Sequence, residues 1–160
     1  MAVARELVRC KFDLVGVQEV RWDKGGTVRA GDYSFFCAKV NENHQLGTEY
    51  FVQHRIISAV KGVKFVSDRM SCIVLRGHWC NIIVLNVCAP SEEKCDDSED
   101  SFYEELEQVF YLFPQYHMKI LLGEFIAKLG RENIFKLTFG NESVHQDSND
   151  NGVRIVNFAA

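Results

Sequence analysis

The sequence predicts a single domain that mixes α and β structure. Short apolar runs bounded by Gly, Pro and polar turn formers recur along the chain, and one helical stripe of large apolar residues interrupts them. At 47% hydrophobic and 12% aromatic residues, 160 positions suffice for a sizeable core. With only two prolines, no low-complexity tract and no repeat of solenoid or propeller period, a second domain is not expected.

In chain order, Val3–Lys11 reads as an opening helix and Asp13–Gln18 as a strand. Gly25, Gly26 and Gly31 mark a loop. Strands are then predicted at Tyr33–Ala38, Thr48–Gln53, Ile56–Phe65, Ser71–Leu75 and Trp79–Val87, with Arg76-Gly77-His78 as a hairpin turn. Phe102, Leu106, Val109, Phe110 and Phe113 fall on one helical stripe; Ser101 and Glu104 form a capping box at its start, and Pro114 stops it. Met118–Gly123 is the next strand. The Asn-, Asp- and Ser-rich stretch Asn141–Asn151 reads as a loop, followed by a short helix over Val153–Ala159.

Charge is uneven along the chain. Residues 1–80 carry a net charge of +4 and residues 81–160 a net of −8. Nine carboxylates against one lysine over residues 92–107 repel a phosphate backbone, so generic nucleic-acid binding is not indicated; the run reads as a solvated loop and helix start. The six cysteines contain no Cys-x-x-Cys pair and the five histidines no His-x-x-x-His spacing, which argues against a zinc site. Arg5, Glu6, Arg9 and Lys11 exclude a signal-peptide core at the N-terminus, and no run reaches transmembrane length. The expectation is an intracellular chain, nuclear or cytoplasmic, with reduced thiols and no membrane partner.

Three apolar strands end in functional-looking residues: Gln18-Glu19 after the first, Cys88-Ala89-Pro90 after Ile82–Val87, and Gly123-Glu124-Phe125-Ile126 after Met118–Leu122. Together they resemble the metal-dependent endonuclease/exonuclease/phosphatase superfamily, whose strands end in Gln-Glu, in Tyr- or His-Ala-Pro, and in Gly-Asp-Phe-Asn. Within it the chain is most similar to the endonuclease domain of RTE (BovB)-clade non-LTR retrotransposons, a group of LINE elements. The phrases Gln18-Glu19-Val20-Arg21-Trp22, Phe102-Tyr103-Glu104-Glu105-Leu106 and Asn151-Gly152-Val153-Arg154 extend that likeness over nearly the whole length.

The resemblance implies an α/β four-layer sandwich of two facing mixed sheets flanked by helices, and residues 1–160 as one truncated domain. It also implies Mg²⁺ as cofactor, DNA as substrate and Glu19 as a metal ligand, since a hard divalent ion takes oxygen donors. The catalytic positions of the family fall on Glu124, Ile126 and Cys88, and all three are substituted. Asp to Glu moves the carboxylate, and about 1 Å of misplacement can cost roughly 10²-fold. Asn to Ile removes a preorganised donor, typically worth about 10²–10³-fold. Cys88 offers only a weak, short donor in place of Tyr or His. The family's first strand, with a catalytic Asn, and its terminal Ser-Asp-His strands would lie beyond the two ends, leaving sheet edges at Asp13–Gln18 and Met118–Gly123 through which a homodimer could form. Glu49 falls where the family prefers Gly, and His145 with Asp147 reads as part of a polar loop. Two functions stand open: a catalytically inert, retrotransposon-derived domain kept as an interaction or structural segment with an unidentified protein partner, or a weak Mg²⁺-dependent endonuclease completed by a longer parent chain.

Overall fold

The computed structural model describes residues 2–20, 25–38, 47–90, 96–131 and 143–159. They belong to two compact units: Met1–Cys88 with Pro114–Gly123, and Ala89–Phe113 with Glu124–Ala160. The fold is α/β, with two four-stranded sheets and no barrel.

The first unit opens with α1 (Ala2–Cys10) and β1 (Leu14–Val20), followed by β2 (Gly26–Ala30), β3 (Tyr33–Cys37) and β4 (Gly47–Gln53). These strands form a wholly antiparallel sheet in the order β1-β4-β3-β2. The predicted loop at Gly25–Gly31 is in fact the first arm of a hairpin. Thr27 and Val28 sit in β2, and Gly31, at φ 63°, turns the chain into β3. Glycine punctuation at both ends of so short a strand concealed it.

The second sheet contains β5 (Val60–Ser67), β6 (Met70–Arg76), β7 (Asn81–Cys88) and β8 (Met118–Glu124), in that order. β5, β6 and β7 are antiparallel neighbours. The sheet is mixed: β8 runs beside β7 in the same direction, with His117 against Asn81 at one end and Gly123 against Val87 at the other. The predicted strand Ile56–Phe65 is split, because His54–Ala59 is a 3-10 turn from which Ile56 and Ile57 still reach the core. An apolar run alone cannot separate a strand from a turn whose residues are also buried. Likewise, β7 starts at Asn81 rather than Trp79, which stands 91% exposed in the hairpin turn.

The two sheets of this unit face one another. β1 and β4 pack on β6 and β7, around a core of Tyr50, Val52, Ile73 and Val84. Alternation along β4 sends Thr48, Tyr50 and Val52 into that interface. Polar atoms cross it as well. The Thr48 hydroxyl donates to Ser71 Oγ at 2.7 Å, and the Tyr50 hydroxyl lies 2.9 and 3.0 Å from the carbonyls of Val84 and Ser71. β1 and β8 are the outer strands of their sheets, as the sequence led one to expect for Asp13–Gln18 and Met118–Gly123.

In the second unit, α2 (Asp96–Tyr111) starts five residues before the predicted cap at Ser101, so Ser101 is interior to the helix. The acid-rich run extends into the helix because acidic residues are favourable in a first turn. Of the predicted stripe, Phe102, Leu106 and Val109 are buried and Phe110 is half-buried, while Phe113 lies past the end of the helix. α3 (Asp150–Ala159) starts three residues before the predicted Val153. Asn149 caps it, its Oδ1 accepting from the Gly152 N–H at 2.9 Å, a side-chain cap on the third helical position. Arg154 pairs with Asp100, and the rings of Phe110 and Phe158 meet edge to face. Residues 141 and 142 of the predicted polar loop lie outside the described residues.

Glu49 is the costly residue of the first sheet. It is 3% exposed, its Oε2 has no hydrogen-bond partner, and burial raises its carboxyl to about 7. Between its ordinary carboxylate range and about 7 the folded chain holds a proton that the unfolded chain has lost, so stability falls as pH rises across that window. At about 1.4 kcal/mol per unit, the loss amounts to roughly 3 kcal/mol. Thermal melts from pH 5 to 8 should show a falling midpoint in the native chain. Glu49→Gln should flatten that slope and melt higher at pH 8.

Candidate functional site

The strand ends that carry Glu19 and Cys88 are held by one buried amide. Asn86, in β7, is fully buried; its Nδ2 donates to the carbonyls of Val17 (3.0 Å) and Glu49 (3.1 Å), and its Oδ1 accepts from Gln18 Nε2 at 2.6 Å. One side chain therefore ties β1 and β4 of one sheet to β7 of the other. Gly16 makes room for it, since a Cβ there would lie 2.8 Å from the Asn86 side chain. No motif in the sequence singled out Asn86. Its only signal was a polar residue inside an otherwise apolar run, which a fully buried strand tolerates only with all its hydrogen bonds made.

Glu19 follows Gln18 directly. The register of β1 against β4 slips between Val17 and Val20, and Glu19 takes a left-handed φ of 55°, so the carboxylate leaves the ladder at the strand end and is exposed. Cys88 ends β7 two residues after Asn86. Its N–H donates to the Arg69 carbonyl at 2.9 Å, and Arg69 Nη1 donates to the Cys88 carbonyl at 3.3 Å. The Gln18–Asn86 hydrogen bond thus brings the strand ends of Glu19 and Cys88 together in the first unit.

Glu124 is the last residue of β8, exposed, and its carbonyl accepts from the Ala89 N–H at 2.8 Å. Gly123 before it is required by two independent constraints. Its φ is 155°, and a Cβ would fall 2.1 Å from the Val87 carbonyl oxygen. Ile126, in the second unit, has a left-handed φ of 49° and is 43% exposed. Its carbonyl accepts from Asn149 Nδ2 at 2.9 Å, while the Lys128 N–H donates to Asn149 Oδ1 at 2.7 Å, so the segment is fixed in this conformation from outside. A β-branched residue is a genuine outlier there, whereas Asn is enriched.

Nearby in the second unit, Asn151 is fully buried: the Tyr103 hydroxyl lies 3.3 Å from its carbonyl, and its Nδ2 reaches the Pro90 carbonyl at 3.5 Å. Gly152 allows the helix start to approach the Lys128 carbonyl, which a Cβ would meet at 2.0 Å. Asn149 and Asn151, read from sequence as loop residues, are anchors. His145 is exposed and its N–H donates to Ser143 Oγ.

Among the described residues, no group of three or more His, Cys, Asp and Glu side chains could hold a metal ion. Glu19, Cys88, Glu124 and Ile126 each occupy a strand-end or turn position with a well-defined backbone.

No family model matches the chain. The chain is similar to craniofacial development protein 2. It is 26% identical to that protein of Bos taurus over 137 residues, covering 85% of this chain and 23% of the relative. Against that of Tragulus javanicus it is 26% identical over 157 residues, covering 98% of this chain and 27% of the relative. The chain thus spans about a quarter of the length of the curated relatives it matches.

A left-handed conformation costs an L-residue about 1–2 kcal/mol, and less for Asn. Ile126→Asn should accordingly raise the unfolding free energy by about 1 kcal/mol in urea titrations, with Ile126→Gly in the same direction. Ile126→Val, still β-branched, should bring no gain.

Proposed function

We propose that the chain is a retrotransposon-derived, endonuclease-like domain of the endonuclease/exonuclease/phosphatase type that no longer hydrolyses DNA and serves as a folded interaction or structural segment. The observation that carries this reading is Ile126. Its backbone is held in a conformation suited to Asn, yet the side chain is aliphatic and half exposed. The turn has outlived the hydrogen-bonding group it would have presented. Glu124 and Cys88 depart from the resembled pattern at the other two positions, and such losses act on one apparatus without simply multiplying. Similarity to craniofacial development protein 2 over most of the chain agrees with a domain kept within a larger protein.

A second reading is supported by how intact the scaffold is. Gly16, Asn86 and Gly123 still position the strand ends, and Glu19 still leaves its strand there. On this reading a longer parent chain supplies the remaining groups and works as a weak Mg²⁺-dependent endonuclease. Supercoiled-plasmid nicking in Mg²⁺ or Mn²⁺ by the longer parent chain separates the two: metal-dependent nicking there favours the second reading, and its absence the first. The 160-residue chain should not nick above a metal-free control, and metal-dependent nicking abolished by Glu19→Ala would overturn the first reading.

Self-association forms part of the proposal. β8 is an outer strand without proline, and on the face where Leu122 meets the core, Met118 and Ile120 are exposed. Unprotected apolar strands of this kind recruit other strands. Light scattering over roughly 100 to 1 μM, the range of weak association, should show a concentration-dependent mass. Ile120→Lys should shift it toward the monomer.

A further inference from the structure

The end of the second sheet remote from Cys88 gathers features that the nuclease-like reading does not use. Four strand ends meet there: the start of β5, the end of β6, the start of β7 and the start of β8. Arg76 pairs with Asn81 across the β6–β7 hairpin, and Val60 with Leu75 across β5–β6. Lys61 Nζ donates to Asn81 Oδ1 at 3.3 Å, and both ring nitrogens of His117 lie 3.3 Å from Asn81 nitrogens. Asn81 is thus the hub of this end.

Around that hub stand two of the most exposed aromatic rings of the described residues. Trp79, in the hairpin turn, is 91% exposed and meets the His78 ring edge-on. Tyr116, just before β8, is 71% exposed, its ring centroid 4.1 Å from that of His117. Lys61, Arg76 and His78 are exposed beside them, and Lys119 follows in β8. Residues 59–67, 76–81 and 114–123, which build this end, contain no Asp or Glu, although the chain as a whole is acidic.

Exposed aromatic planes interleaved with bases, and free of carboxylates, suit a polyanion that also offers flat faces. Single-stranded nucleic acid has both, because its unpaired bases can stack while its phosphates meet cations. A duplex keeps its bases stacked on one another and cannot use the rings. The polar surroundings of Asn81, Gln115 and the two histidines disfavour insertion into lipid. β7 and β8 are neighbours about 4.8 Å apart, so rings carried at their starts lie within reach of nearby nucleotides on one strand. We propose that this end of the sheet binds single-stranded nucleic acid, with bases stacking on Trp79 and Tyr116 and phosphates contacting Lys61 and Arg76. The surface lies about 20 Å along β7 from Cys88, at about 3.3 Å per residue. It needs neither metal nor hydrolysis, and it does not rest on the nuclease-like reading.

The test is fluorescence anisotropy of a fluorescein-labelled oligo-dT of about 12 nucleotides, a length within the usual footprint of stacking platforms. It is run in EDTA at about 50 mM salt, where phosphate contacts are strong. The native chain should bind, and more tightly than it binds a duplex of equal length. Trp79→Ala and Tyr116→Ala should each weaken binding about 5- to 100-fold, the worth of one stacked base, while Trp79→Phe retains most of it. Lys61→Ala and Arg76→Ala should each flatten the salt dependence by about 0.7 in log–log slope. All these side chains are exposed, and circular dichroism verifies that each variant is folded. Absence of binding by the native chain, unchanged binding by both aromatic-to-alanine variants, equal affinity for the duplex, or preference for phosphatidylserine vesicles over oligo-dT would each overturn the proposal.

Discussion

Asn86 is the constraint on which the first unit depends. A fully buried amide between two apolar sheets is tolerated only because each of its polar atoms is used: two carbonyls on different strands and the Gln18 amide take its hydrogen bonds. Removing the amide would leave the carbonyls of Val17 and Glu49 and the Gln18 side chain in need of other partners, at about 1–3 kcal/mol for each group left unsatisfied. An aliphatic substitute would fill the space but release the register. Because the sheets are otherwise joined by apolar packing, which is not directional, this amide, with Thr48, Ser71 and Tyr50, determines how one sheet is placed on the other.

The same constraint reaches the strand ends. Glu19 leaves its ladder immediately after the residue that binds Asn86, and Cys88 ends its strand two residues beyond Asn86. At β8 the corresponding role falls to Gly123, where the chain passes the Val87 carbonyl too closely for any side chain. These are backbone devices. They rest on the backbone and do not depend on which side chains stand at the strand ends. Ile126 illustrates the separation, a left-handed turn fixed by Asn149 and carrying a residue suited to neither the conformation nor hydrogen bonding.

Glu49 shows the opposite relation. It lies on the opposite face of β4 from Thr48, Tyr50 and Val52, yet it too is buried, and one carboxylate oxygen remains without a partner. The adjacent Cys37 thiol, also buried, is pushed up to about 12 by burial and then by the Glu49 charge. The unit carries this cost because cooperative packing of two sheets exceeds the penalty of one misplaced carboxyl.

Much of this was legible in the sequence by itself. The apolar runs at β1, β3, β4, β6, β7 and β8, and the stripe Phe102, Leu106 and Val109 of α2, follow from hydrophobic period alone, because burial selects apolar residues at the spacing of each element. The glycine before Glu124 and the exposed strand-end carboxylates were equally readable. Tertiary structure decided the rest. β2 is a strand because β3 pairs with it, and Ile56 and Ile57 are buried from a turn because the core reaches them. Asn149 and Asn151, with the composition of a loop, are a helix cap and a buried anchor because Lys128, Pro90 and Tyr103 supply their partners. Asn86 is decisive only once β1 and β4 are brought against it. Local sequence records what each residue prefers; which distant group satisfies a buried polar atom is settled only when the chain has folded.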